Sequence, residues 1–178
     1  MVIQSFHNGF FFTWNSMVLS LLVIYIFLES TSVEKDYLTK LFSRQSYEKY
    51  VSHIIGTEKP FSILFIDLDK FKTINDKLGH FVGDKVLVEF GRTLVKVFRP
   101  NHMVSRLGGD EFLVVIENVL VIKESIEAIY KLLSKHEDEA ISTLEFSYGY
   151  QQYEKNMTID ELYIKADRKM YEHKEKKR

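Results

Sequence analysis

Cysteine is absent from the 178 residues, and proline occurs only twice. Without thiols there is no disulfide framework and no thiolate metal site, which accords with a reducing compartment. No charge of one sign prevails: 24 Lys and Arg stand against 25 Asp and Glu. With no basic excess, nothing points to nucleic acid as a partner. The six histidines are scattered, and none is paired at the spacing of a helical metal site. No internal repeat or low-complexity tract is present. The length suits one ordinary domain plus an appendage, and a hydrophobic share of 46% is enough for a core.

Charge of either sign is missing from residues 10–28, FFFTWNSMVLSLLVIYIFL. At about 1.5 Å per residue this run just crosses a hydrocarbon layer of roughly 30 Å. Thr13, Asn15 and Ser16 weaken its first half. A buried core helix and a signal peptide are the alternatives. The latter lacks a preceding Lys or Arg and a small-residue cleavage pattern. A single transmembrane helix is the favoured reading, with Trp14 and Tyr25 near its two interfaces. Lys35, Lys40 and Arg44 follow the span and no Lys or Arg precedes it, so the carboxyl-terminal part is expected inside the cell. The resulting division is a short extracytoplasmic tail (1–9), the span (10–28), a linker (29–35) and a domain (36–178).

The remaining punctuation divides that domain. Tyr47, Tyr50, Val51 and Ile54 recur at helical spacing over 43–55, and Gly56 and Pro60 end the helix. The unbroken apolar run Ser62–Ile66 predicts a buried central strand. A short helix follows Asp69 and ends near Gly79. An amphipathic helix is predicted from Asp84 to Arg99, where Pro100 stops it. Another helix is expected over 123–136 and a strand over 144–150. Thr158 and Glu161 form a capping box at the start of the last helix. The mixture of helices, hairpins and crossovers points to an α+β fold with a central, mainly antiparallel sheet.

Chemistry is concentrated at two strand ends. Gly108 and Gly109 join two apolar runs as a hairpin, and the turn carries the adjacent carboxylates Asp110 and Glu111. A solvated hairpin tip is one reading. The other is a phosphate approaching the glycine backbone with a cation held beside it. The central strand also ends in acids, Asp67 and Asp69, which are costly at a buried strand end unless paired or metal-bound. One of these two, not both, is expected to share a cation with the hairpin. Hard oxygen donors without a His or Cys pair favour Mg²⁺ over Zn²⁺. Two other motifs fail. Lys72 occupies the glycine position of an EF-hand loop, and the 79–85 stretch is one residue short of a P-loop.

Taken together, Asp36–Leu41, Asp67–Asp76, Gly79-His80, Gly83-Asp84, the Gly-Gly-Asp-Glu-Phe of 108–112, and Ala166-Asp167 with Met170-Tyr171 and Lys174 resemble the GGDEF domain of diguanylate cyclases. The resemblance implies a palm-like sheet flanked by helices. It also implies condensation of two GTP into cyclic di-GMP, with release of pyrophosphate, by an antiparallel homodimer. Asp67, Asp110 and the main-chain carbonyl of Leu68 match the metal ligands, for Mg²⁺ or Mn²⁺. Glu111 matches the signature's second acid, acting on metal or hydroxyl, and Asp69 is left a structural role. Asn75 and Asp84 match the residues that read guanine. Helix capping is the plainer reading of that pair. Lys72 is a further phosphate-binding candidate. Lys174 and Arg178 match the triphosphate-binding basic pair, or else a solvated helix end. His173 and Lys177 depart from the family's Ala and Gly there. A degenerate product-inhibition site is expected at Arg99 and His102, where His102 replaces the usual Asp. The whole then reads as a single-pass protein of the bacterial inner membrane with a cytoplasmic cyclase domain. The alternative is a non-catalytic GGDEF membrane protein that binds nucleotide or a partner as a regulator.

Overall fold

The computed structural model describes residues 13–26, 34–57, 59–98, 102–117 and 119–177. The chain divides into two compact units, 1–34 and Lys35–Arg178. In the first, residues 13–26 form helix α1, with every side chain exposed. Its polar Ser20 hydroxyl donates to the Ser16 carbonyl at 2.8 Å. Among the described residues no helix is long and apolar enough to cross a membrane. Both ends of the expected 10–28 span lie outside them, as do the 1–9 tail and most of the linker.

The second unit is a five-stranded sheet between helices. Its elements are β1 (Phe42–Ser43), α2 (Arg44–Ile55), β2 (Ser62–Leu68), α3 (Phe71–Leu78), α4 (His80–Phe98), β3 (Met103–Gly108), β4 (Glu111–Ile116), α5 (Ile122–Leu133), α6 (Glu139–Ser142), β5 (Phe146–Gln152) and α7 (Ile159–Lys176). The strand order is β1-β3-β4-β2-β5. All pairings are antiparallel except the short parallel β1–β3 contact. The sheet is therefore mixed rather than purely antiparallel.

Alternation along β2 explains why its sequence looks uniformly apolar. Leu64, Ile66 and Leu68 face a core with Phe90 and Leu94 of α4 and Ile129 of α5. Ile63 and Phe65 face a second core with Tyr47 and Val51 of α2 and Leu162, Ala166 and Met170 of α7. A strand covered on both faces has no polar side. Helix α7 lies so close to β5 that a Cβ on Gly149 would fall 2.1 Å from the Met170 nitrogen and 2.4 Å from the Ala166 oxygen. Only glycine permits that approach.

Three predicted boundaries shift. Helix α4 starts at His80 rather than Asp84, because Gly79 (φ 83°) turns the chain and its carbonyl accepts from Val82 and Gly83. Helix α5 ends at Leu133, three residues before His136. Strand β5 begins at Phe146, where pairing to Leu68 starts, not at Leu144. The capping box forms as expected: the Thr158 hydroxyl accepts from the Glu161 amide at 3.1 Å, and the Glu161 carboxylate accepts from the Thr158 amide at 2.8 Å.

Candidate active site

The site grows from the ends of β2 and the β3–β4 hairpin. Gly108 (φ 147°) and Gly109 (φ 51°) take up left-handed backbone at the turn, a region that side chains resist. Arg106 braces this turn. Its Nε and Nη2 donate to the Gly109 carbonyl at 3.1 and 2.7 Å, and its Nη1 donates to Asp36 Oδ1 at 3.0 Å. The Asp36 carboxylate also accepts from the Thr39 amide and hydroxyl, at 2.8 and 2.6 Å. Burial pushes the Asp36 carboxyl upward, but the Thr39 and Arg106 donors outweigh it and hold the group below the usual range.

Register then sets the acids together. Asp67 lies opposite Glu111 across the β2–β4 ladder, and the Leu68 amide donates to the Asp110 carbonyl at 3.3 Å. Burial raises the Asp67 carboxyl above its ordinary value. The Lys174 ammonium, bonded to Asp67 Oδ1, works against that, while Asp110 and Asp69 add repulsion. Glu111 is likewise raised by burial. Arg44, whose Nη2 lies 3.8 Å from Glu111 Oε2, opposes the shift, and Asp67 and Asp110 reinforce it. Asp69 takes a different direction: it accepts from Ser147 Oγ at 2.8 Å and from Lys177 Nζ at 3.3 Å. Of the two strand-end acids, Asp67 is thus the one that meets the hairpin.

A cavity of about 1260 Å³ opens beside these groups, and Leu68, Lys72, Asp110 and Lys174 are among its walls. Asn75 and Asp84 sit outside that lining, on α3 and α4. Neither is a helix cap, which removes the capping explanation for them. Asn75 packs against Gly83, where a Cβ would stand 1.9 Å from Asn75 Oδ1. Asp84, the next residue, is exposed. Arg178 and Arg99 lie outside the described residues. His102 is half-buried with its Nδ1 unpartnered among the described residues, and burial lowers its pKa. The neutral imidazole is therefore favoured. Among the described residues no group of three or more His, Cys, Asp or Glu side chains is arranged to hold a metal. The expected donor set has two carboxylates and one main-chain oxygen.

Three participants had no local signature in the sequence. Arg44 reaches Glu111, and its Nε donates to the Leu107 carbonyl at 3.4 Å. Arg106 clamps the signature turn. Lys177 meets Asp69 from the far end of the chain. Each depends on a contact that only the folded sheet creates.

The profile described as "Diguanylate cyclase, GGDEF domain" matches residues 33–178. Diguanylate cyclase DgcS of Shewanella oneidensis is 31% identical over 144 residues, covering 78% of this chain and 49% of that protein. Diguanylate cyclase DgcN of Escherichia coli is 31% identical over 148 residues, covering 78% of this chain and 36% of that protein. The chain thus spans half or less of the length of these curated relatives. Among solved structures, a sensory box/GGDEF family protein of Caulobacter crescentus superimposes with a TM-score of 0.69 at 32% identity, covering 80% of this chain and 99% of that one. The coiled coil and GGDEF domain of DgcB from Caulobacter crescentus, in complex with c-di-GMP, gives a TM-score of 0.76 at 21% identity, with 93% of each chain covered. That second likeness speaks to the fold alone.

Proposed function

The chain belongs to the GGDEF diguanylate cyclase family, and from that premise we propose that it condenses two GTP into cyclic di-GMP, releasing two pyrophosphates, as a homodimer. The observation that carries this reading is the register that sets Asp67 opposite Glu111, with Lys174 bonded to Asp67, beside a cavity whose wall holds Asp110, Lys72 and Lys174. Joining a ribose 3′-hydroxyl to an α-phosphorus requires charge neutralisation and in-line placement more than a covalent nucleophile. Lys72 and Lys174 neutralise the triphosphate. Asp84 accepts from the guanine N1–H and N2–H₂ pair that adenine lacks, and Asn75 pairs with the remaining edge. Arg106 fixes the turn against which the phosphates rest. A cyclic product needs two 3′-hydroxyls and two α-phosphates facing each other, so two half-sites must meet antiparallel.

The donors around Asp67 suit a hard divalent cation. They are all oxygen, and burial together with mutual repulsion disfavours the charged acids, with the Lys174 ammonium as the opposing charge. Asp67, Asp110 and the Leu68 carbonyl would hold Mg²⁺ or Mn²⁺. When bound, such an ion lowers the pKa of the attacking hydroxyl and stabilises the leaving oxygen. Glu111, raised toward protonation and braced by Arg44, either joins that shell or takes the hydroxyl proton.

Residues 10–28 anchor the protein in the bacterial inner membrane, with the cyclase domain in the cytoplasm. What supports this is the absence of any charged residue over 10–28 together with the exposed apolar side chains of α1. Full-length protein in detergent, given GTP and Mg²⁺, should form cyclic di-GMP, measured by chromatography. GTP binding without product would leave the regulatory, non-catalytic reading. The protein should stay with membranes through a high-salt wash, and release into the soluble fraction would refute the anchor.

A further inference from the structure

The Lys177 ammonium lies in the wall of the same cavity as Lys72 and Lys174, yet its hydrogens are already committed. It donates to the Phe146 carbonyl at 2.6 Å, to Asp69 Oδ2 at 3.3 Å and to the Tyr130 hydroxyl at 3.3 Å. Glu145 Oε2 stands 3.6 Å away. An ammonium has three donors, so none remains for a nucleotide. Lys177 is therefore not read as a direct ligand.

Its chemistry is directed at Asp69. That carboxylate is only 12% exposed, lines the same cavity as Lys72 and Lys174, and is fixed in place by Ser147 Oγ. Left alone, it would present a full negative charge to an incoming triphosphate, in a recess where screening is weaker than in bulk water. Among the described residues, Lys177 is the cation paired with it. We propose that Lys177 is a positioning residue for substrate binding: it cancels the Asp69 charge in the cavity wall and thereby admits a polyanionic nucleotide. This rests on the cyclase reading above and adds to it a residue that acts through another and touches no substrate.

The test is equilibrium binding of α,β-methylene GTP, which resists release of pyrophosphate, to the full-length protein in detergent with Mg²⁺. Lys177→Met keeps the length of the side chain and removes its charge. Affinity should fall on the order of tenfold. The double variant Lys177→Met/Asp69→Asn should regain affinity to about twofold of the parent, because the charge that needed cancelling is gone. Lys177→Arg should bind as the parent does. With GTP itself, Lys177→Met should raise KM while kcat at saturation changes little. A weakened Lys177→Met that Asp69→Asn fails to rescue would show that Lys177 merely fastens the end of α7, and would overturn the inference. Parent-like binding by Lys177→Met would do the same. If the parent itself binds no analogue, the cyclase reading fails and this inference falls with it.

Discussion

Replacing Arg106 by Ala tests whether the signature turn is held from outside the hairpin. Arg106 makes three hydrogen bonds, two to the Gly109 carbonyl and one to Asp36, and its side chain is 9% exposed. Charge-assisted bonds contribute about 1.5–3 kcal/mol each, but their loss here should not sum. Gly109 is exposed, so water replaces the guanidinium at its carbonyl at little cost. Asp36 is the expensive side: its carboxylate, 16% exposed, keeps its Thr39 donors but loses its only ion-pair partner among the described residues. A destabilisation of about 2–3 kcal/mol follows. Urea unfolding followed by far-ultraviolet circular dichroism measures it. Turnover should drop by about tenfold or more as the turn loosens, since about 1.4 kcal/mol of misplacement accounts for each factor of ten. The pair also sets a pH limit. Asp36 is depressed in the folded state, so its contribution is present above the unfolded carboxyl value and is lost as pH falls through the lower folded one. Stability should therefore decline below about pH 4, and less steeply in Asp36→Asn. A loss under about 0.5 kcal/mol in Arg106→Ala, the range of ordinary surface changes, would refute the clamp.

Other variants probe the remaining parts of the site. Asp110→Asn should nearly abolish cyclic di-GMP formation while leaving the melting curve close to that of the parent, and near-normal activity would remove Asp110 from the metal set. Gly83→Ala should displace Asn75, whose Oδ1 stands where the methyl would go, and weaken GTP binding. Asp84→Ser should relax discrimination against ATP in competition assays, and unchanged preference would argue against base reading there. His102→Asp should introduce inhibition by added cyclic di-GMP that the parent lacks, because neutral imidazole offers one acceptor where a carboxylate takes two guanine N–H groups. Strong product inhibition of the parent, lost in Arg99→Ala, would contradict that expectation.

Local signals suffice for part of the fold. The Gly-Gly hairpin, the capping box and the doubly buried β2 follow from turn chemistry and periodicity over a few residues. The start of α4 did not, because Gly79 turns the chain without ending helicity for long, and Gly83 is accepted inside the helix for its packing against Asn75. The two-residue β1 is too short to leave a pattern. The supports of the site are the least legible: Arg106 finds Asp36 at a separation of 70 residues, and Lys177 finds Asp69 at 108. Such pairs are set by strand order, which no spacing along the chain encodes. Asn75 and Asp84 show the converse, since capping was the simpler local explanation and their positions inside α3 and α4 dismiss it.

The strand order has a consequence for how the protein is made. β2 leaves the ribosome early, yet it sits between β4 and β5 and completes neither ladder until those strands arrive. Non-local pairing of this kind slows folding. The reactive end of β2 is finished last of all, because Asp67 lies between Glu111 on β4 and Ser147 on β5 and meets Lys174 only once α7 has docked. Until β5 pairs with it, the β5-side edge of β2 presents unpaired backbone along Ser62–Leu68, an apolar template for strands of other chains. A nascent chain stalled before residue 146 therefore lacks, at one stroke, the Ser147 side of the site and the strand that covers that edge.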